Sequence, residues 1–169
     1  MYHITTPITE KDINNLEVGD IISLTGCIYC GRDAVLPKIV ELYSRGKLAD
    51  HDINLNGSLI FHTAVSPAGI GPTSSNKLEI EESIAPLSQA GVKIHLGKGK
   101  ICKETVDVLH QYNSIFAVVP PVTALLQSKV RNIELAAFPE EGMEAFYQIE
   151  VDEMPMIVAA AHGKTIYEV

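Results

Sequence analysis

Hydrophobic and polar positions fall in short blocks along this chain, and the blocks alternate between strand-like and helix-like spacing. Ile21 to Gly26 is an apolar run bounded by the turn Val18-Gly19-Asp20 and by glycine, and it predicts a strand. From Asp33 to about Gly46, the residues Ala34, Val35, Ile39, Val40 and Leu42 predict a helix. Asp33 is placed to cap it, and Pro37 falls in its first turn, where a missing N–H is tolerated. Leu59–Ala64 predicts a strand, and Ser66–Lys77, with two prolines and two glycines, a loop. Leu78–Ala90 predicts a helix with Ile80, Ile84 and Leu87 as its core stripe. Glu79, Glu81 and Glu82 suit its positive end. Then come a strand at Val92–Leu96, a helix at Cys102–Tyr112 with Val106 and Leu109 inward, and a strand at Ile115–Val119. A short helix at Pro121–Gln127 and a strand at Ile133–Phe138 follow. Beyond Glu140-Glu141-Gly142 the pattern changes. Phe146–Val151 alternates, Pro155–Ala161 is mostly apolar, and His162-Gly163 turns into Thr165–Tyr167, an antiparallel β section. The expected class is α/β with mixed sheets, in a single domain over residues 1–169.

Composition narrows the function. A chain of 169 residues with 46% hydrophobic and 20% charged side chains can bury a real core. A net charge of −8 without a basic stripe argues against nucleic acid as a partner. An acidic protein that binds an anion must gather its cations locally. No apolar run approaches the ~18–20 residues of a membrane span. Met1–Asn15 is polar and carries no signal-peptide pattern, so a cytoplasmic location is expected. Three cysteines, an odd number, argue against a disulfide framework. Cys27-Ile28-Tyr29-Cys30 has C-x-x-C spacing, open to three readings: incidental thiols, a redox pair or a metal site. Zinc wants a second pair, which is absent. His51, His62, His95 and His162 show no ligand spacing to one another.

Three cationic loops carry the candidate chemistry. Gly71-Pro72-Thr73-Ser74-Ser75-Asn76-Lys77 combines a tight turn, three consecutive hydroxyls and an ammonium just before a helix, a setting for anionic oxygen. Gly31-Arg32-Asp33 and Gly97-Lys98-Gly99-Lys100 add cations elsewhere. Brought together, the three suit a small polycarboxylate or a phosphate.

In order, Gly19-Asp20, Thr25-Gly26, Gly31-Arg32-Asp33-Ala34, Gly71-Pro72-Thr73-Ser74, Gly97-Lys98-Gly99, Gly142-Met143-Glu144-Ala145 and Ile149-Glu150-Val151 resemble the beta part of iron–sulfur hydro-lyases. That group holds class I fumarases and L-tartrate dehydratases, and the resemblance runs from about Ile8 to Tyr167. It implies a swivelling β/β/α fold. It also implies an alpha partner subunit that carries three cysteine ligands of a [4Fe–4S] cluster. Starting at Met1 without the larger part, the chain is expected to be a separate beta subunit in a hetero-oligomer. Cys27, Cys30 and Cys102 do not fall on the family's cluster positions, so no cofactor is expected on this chain alone. By the same resemblance Arg32 contacts a substrate carboxylate, Thr73 is a proton-transfer group that also touches substrate, and Ser74 keeps the second hydroxyl. Lys98 is another carboxylate contact. Lys77 stands where the family usually has arginine, retaining charge without the planar fork. Leu36 stands near where the family often has histidine, and Phe61–Pro67 departs from its usual Tyr-Tyr and Gly-Pro pattern.

Hydration of fumarate to L-malate passes through an aci-carboxylate carbanion, and fixed cations where that charge develops lower the barrier. Arg32, Lys77 and Lys98 are the expected cations, and Thr73 needs a neighbour to act as a base. The chain alone is expected to be inactive. Alternatives are L-tartrate or another short dicarboxylate as substrate, a non-catalytic anion-binding module of the same fold, and a C-x-x-C redox protein.

Overall fold

The computed structural model describes residues 1–66, 69–73, 77–119 and 123–167, with backbone alone at 66, 69, 71–73, 77–80, 123 and 124. Ten strands and five α-helices follow one another among them. They are β1 (Tyr2–Thr5), α1 (Glu10–Asn14), β2 (Ile21–Cys30), α2 (Leu36–Ser44), β3 (Leu59–Phe61), β4 (Thr63–Ser66), β5 (Gly69–Thr73) and α3 (Lys77–Gln89). The rest are β6 (Ile94–Gly97), α4 (Lys103–Gln111), β7 (Ile115–Val118), α5 (Thr123–Ser128), β8 (Val130–Ala137), β9 (Phe146–Ala161) and β10 (Lys164–Thr165).

The sheet closes on itself. β2, β3, β6 and β7 run parallel, side by side. The long β9 is antiparallel to both β7 and β2, which completes a ring of five strands. β1 extends β2 in parallel, and β8 pairs with the first half of β9. Strands in such a ring are buried on both faces, so they read as continuous apolar runs rather than alternations. Leu59 and Phe61 point inward with Ile28, Leu96, Ala117 and Met156. The residue between them, Ile60, points outward against Val35, Ile39 and Leu87 under α2 and α3. Phe116 likewise faces out, against Val106 and Leu109 of α4. Ile84 and Leu87 of α3, and Val106 and Leu109 of α4, are buried as their helical spacing requires.

The class and most elements match the sequence pattern, and the differences have local causes. Asp33 does not cap α2. Val35 and Leu36 N–H groups donate to the Arg32 carbonyl in a preceding turn, and Val35, without a side-chain capping bond, precedes the helix. The strand expected over Leu59–Ala64 breaks at His62, where β3 leaves the main sheet. The expected loop after Ser66 contains β5, which pairs with β4 as a hairpin of its own. Two N-terminal elements were not anticipated. In α1, Thr9 and Asp12 exchange bonds of 3.1 and 2.9 Å in a capping box. In β1 only Ile4 is buried. The C-terminal β section is one strand of 16 residues rather than two. Among the described residues no helix is long and apolar enough to cross a membrane.

Candidate functional site

All four parallel strands end at the same edge of the ring, where open α/β sheets present their loops to ligands. The Gly31 N–H donates to the Phe61 carbonyl at 3.0 Å, and the His62 N–H to the Leu96 carbonyl at 2.9 Å. These bonds set Arg32, His62 and Lys98 beside one another, each just beyond its strand. Two strand spacings separate Arg32 from Lys98, roughly 10 Å of backbone. That gap is within reach of two long cationic side chains closing on one small dianion.

Gly31 is closely packed: a Cβ on it would lie 3.0 Å from Leu36 Cδ2 and 3.1 Å from Phe146 Cδ1, so those side chains would have to give by a few tenths of an ångström. Arg32 is three-quarters buried, yet its Nε is fully enclosed and has no hydrogen-bond acceptor. The Glu144 carboxylate stands 4.0 Å away, close enough to attract but not to bond. Lys98 is exposed and makes no ion pair among the described residues. Gly99 turns the chain away with φ of 83°.

The Gly-Pro-Thr segment reaches the same edge through the hairpin. Thr73 of β5 is in register with Thr63 of β4, the residue directly after His62. The Thr73 side chain, Ser74 and the Lys77 side chain lie outside the described residues; Lys77 is the first residue of α3. Of the five predicted site residues, the structure therefore brings Arg32, Lys98 and the backbone of Thr73 to one edge.

Cys27 and Cys30 do not fit a redox pair. Cys27 and Cys30 lie three residues apart in β2, so they point to opposite faces, one exposed and one buried. Along an extended strand their Cα atoms are about 10 Å apart, beyond the reach of a disulfide. Burial pushes the Cys30 thiol far above its ordinary range. Among the described residues no three His, Cys, Asp or Glu side chains gather as a metal site.

Sequence spacing missed one constellation. His62 and His95, 33 positions apart, meet ring to ring, with His62 Nε2 3.4 Å from His95 Nδ1. Ser88 Oγ of α3 lies 2.9 Å from His95 Nε2. Burial lowers the His62 pKa to about 4 against a weak opposing pull from Asp33, and lowers that of His95 well below the ordinary histidine value. Only the register of β3 with β6 brings the pair together, and no spacing rule reports that.

The Fumarase C-terminus family matches residues 2–169. The chain belongs to that family. A relative from Methanocaldococcus jannaschii, named "Putative L(+)-tartrate dehydratase subunit beta", is 33% identical over 99% of this chain and 92% of its own length. The L(+)-tartrate dehydratase subunit beta of Escherichia coli is 31% identical over 96% of this chain and 85% of its own. The anaerobic class I fumarate hydratase of Escherichia coli is 29% identical over 86% of this chain, which aligns with 28% of that protein. As a member of the Fumarase C-terminus family, the chain thus resembles both free-standing beta subunits and one part of a longer hydro-lyase.

Proposed function

We propose that this chain is the beta subunit of a heteromeric hydro-lyase acting on a four-carbon dicarboxylate, with reversible hydration of fumarate to L-malate as its reaction. The observation that carries the reading is that two cations, the three-quarters-buried Arg32 and the exposed Lys98, stand at the same strand-end edge in a member of the Fumarase C-terminus family. A carboxylate matches the guanidinium's planar fork, and a second carboxylate the lysine.

On this reading Arg32 binds one substrate carboxylate, and Lys98 meets the other, with Lys77 as a further cation. Fixed cations placed there stabilise the aci-carboxylate as charge builds on it. Thr73 is the proton-transfer group of this reading and acts only with a neighbouring base. Ser74 supplies a second hydroxyl to orient the substrate. An alpha partner subunit would cover this edge, exclude water and complete the site. A [4Fe–4S] cluster, held by that alpha partner and not by this chain, would supply Lewis-acid chemistry. A second reading, L-tartrate dehydration, is favoured by the printed names of the relatives that match from end to end.

The test is an anaerobic assay of the chain co-expressed with its alpha partner, with iron and sulfide reconstituted and fumarate and L-tartrate followed in parallel. Turnover should require both chains. Arg32→Ala should lower kcat/KM by about 10²–10³-fold. A fully reconstituted complex that consumes neither substrate would sink both readings and leave the anion-binding module.

A further inference from the structure

Arg32 leads directly into α2, and Lys38 follows in the first turn of that helix. Both cations meet one short piece of chain, the 3₁₀ turn Pro139–Glu144 between β8 and β9. Glu144 Oε1 lies 4.0 Å from Arg32 Nε. Glu141 Oε1 accepts a hydrogen bond of 2.5 Å from Lys38 Nζ, and Glu140 Oε1 stands 3.8 Å from the same ammonium. Three carboxylates of one turn thus pair with two cations of one segment.

The turn is held at both ends. At its start the Phe138 ring stacks on His51 at 6.1 Å and lies 5.2 Å from Lys38 Nζ. At its end the Gly142 carbonyl accepts from the Ala145 N–H and from the Tyr147 hydroxyl, both at 3.0 Å. Tyr147 is in register with Cys30, and Phe146 stacks on Tyr29. Phe146 also packs against Gly31, the residue before Arg32. Glu144 therefore reaches Arg32 from a fixed base, although each side chain alone is long and flexible.

A free arginine samples many rotamers and gives up that freedom when it closes on an anion. A tether removes part of this entropy loss before the ligand arrives. The point of attachment matters as well. A guanidinium offers a side-on pair, Nε–H with one Nη–H, and an end-on pair from its two Nη groups. Glu144 meets it at Nε, the side-on position. The end-on fork is left for a bidentate carboxylate. At 4.0 Å the pair attracts without closing into a hydrogen bond, so Arg32 is oriented and its fork stays free.

We propose that Glu144 is a positioning residue for Arg32, and that Lys38 sets it in place by tying down the turn through Glu141. That the ligand of Arg32 is a substrate carboxylate rests on the hydro-lyase reading above; the tether does not. In this role Glu144 touches neither substrate nor the reacting atoms. It acts through Arg32, as outer partners of a binding group commonly do.

The experiment has two arms. In the first, ¹H–¹⁵N NMR follows the arginine Nε–H groups of the labelled full chain, and Arg32→Ala identifies the Arg32 signal by its loss. Glu144→Gln and Lys38→Met should each shift that signal, although Lys38 pairs with Glu141 and Glu140. In the second, kcat/KM is measured on the complex with its alpha partner. Glu144→Gln should lower it about 2–5-fold, the effect of one part-exposed ion pair. In the Arg32→Ala background Glu144→Gln should lower it no further, whereas a residue that only supports the fold would act equally in both backgrounds. An Arg32 signal indifferent to either variant, or an equal loss with and without Arg32, would overturn the proposal. So would a kcat/KM that is unchanged or rises in Glu144→Gln, a rise marking a counter-ion that competes with the ligand. If the native complex is inert on fumarate and L-tartrate, the first arm decides alone: the expected shifts keep the tether and refute only the hydro-lyase reading.

Discussion

Cys27 and Cys30 share a tetrad that suggests common chemistry, and one structural fact separates them. In β2 the side chain reverses at each residue, so an odd spacing sends the two thiols to opposite faces. Cys30 is packed inside the ring with Ile28, Phe61 and Ile149, where a thiolate is not solvated. Alkylation of the folded chain with iodoacetamide should label Cys27 and Cys102, both exposed, and leave Cys30 intact until denaturant is added. Mass mapping reads the result; early labelling of Cys30 would contradict the packing described. At this same scale the cations were legible. Arg32 and Lys98 each sit beside a glycine, and such turns put charge on short loops at strand ends. The meaning of His62 and His95 was not legible, because each alone is an ordinary core histidine.

At the scale of elements, helical spacing carried α3 and α4, where one buried face recurs every three to four residues. The capping box of α1 was written in Thr9 and Asp12, yet five residues with one buried side chain make too weak a period to read. The β4–β5 hairpin was hidden by Pro67, Pro72, Gly69 and Gly71, which ordinarily mark a loop. Pro72 lies in a two-stranded sheet, where each strand keeps an open edge and a missing N–H can be tolerated. The junction of β1 and β2 depends on Gly26, which has φ of 129° at a shift in the register with β9. A Cβ there would lie 2.1 Å from Thr6 Oγ1. Gly26→Ala should cost about 2–4 kcal/mol of stability, from strained backbone and overpacking together. Urea unfolding measures this; a loss under about 0.5 kcal/mol would show that β1 shifts without penalty.

For the whole molecule, the buried histidine pair ties stability to pH. His62 holds a folded pKa of about 4, below the ordinary value near 6.5. His95 is lowered as well. Between those values the unfolded chain takes up protons that the fold refuses. Stability is therefore full above about pH 6.5 and falls as pH drops toward 4. His62 alone should account for roughly 2 kcal/mol by pH 5, at 1.36 kcal/mol per pKa unit. Urea midpoints at pH 7.5 and pH 5 test this, and equal midpoints would refute it. The drop should shrink in His62→Gln.

The sequence by itself determined the class, most of the elements, the family and the cationic loops. Each of these is recorded in short-range pattern: spacing along a helix, apolar runs and turn residues beside a charge. Only the tertiary structure decided that β9 closes the parallel strands into a ring, that Arg32 and Lys98 share its edge, and that Cys27 and Cys30 part company. It alone joined His62 to His95 and Ser88. Those facts depend on which strands become neighbours and in what register. Register is settled by burying both faces of the sheet at once, a condition on the whole chain that no local stretch of residues contains.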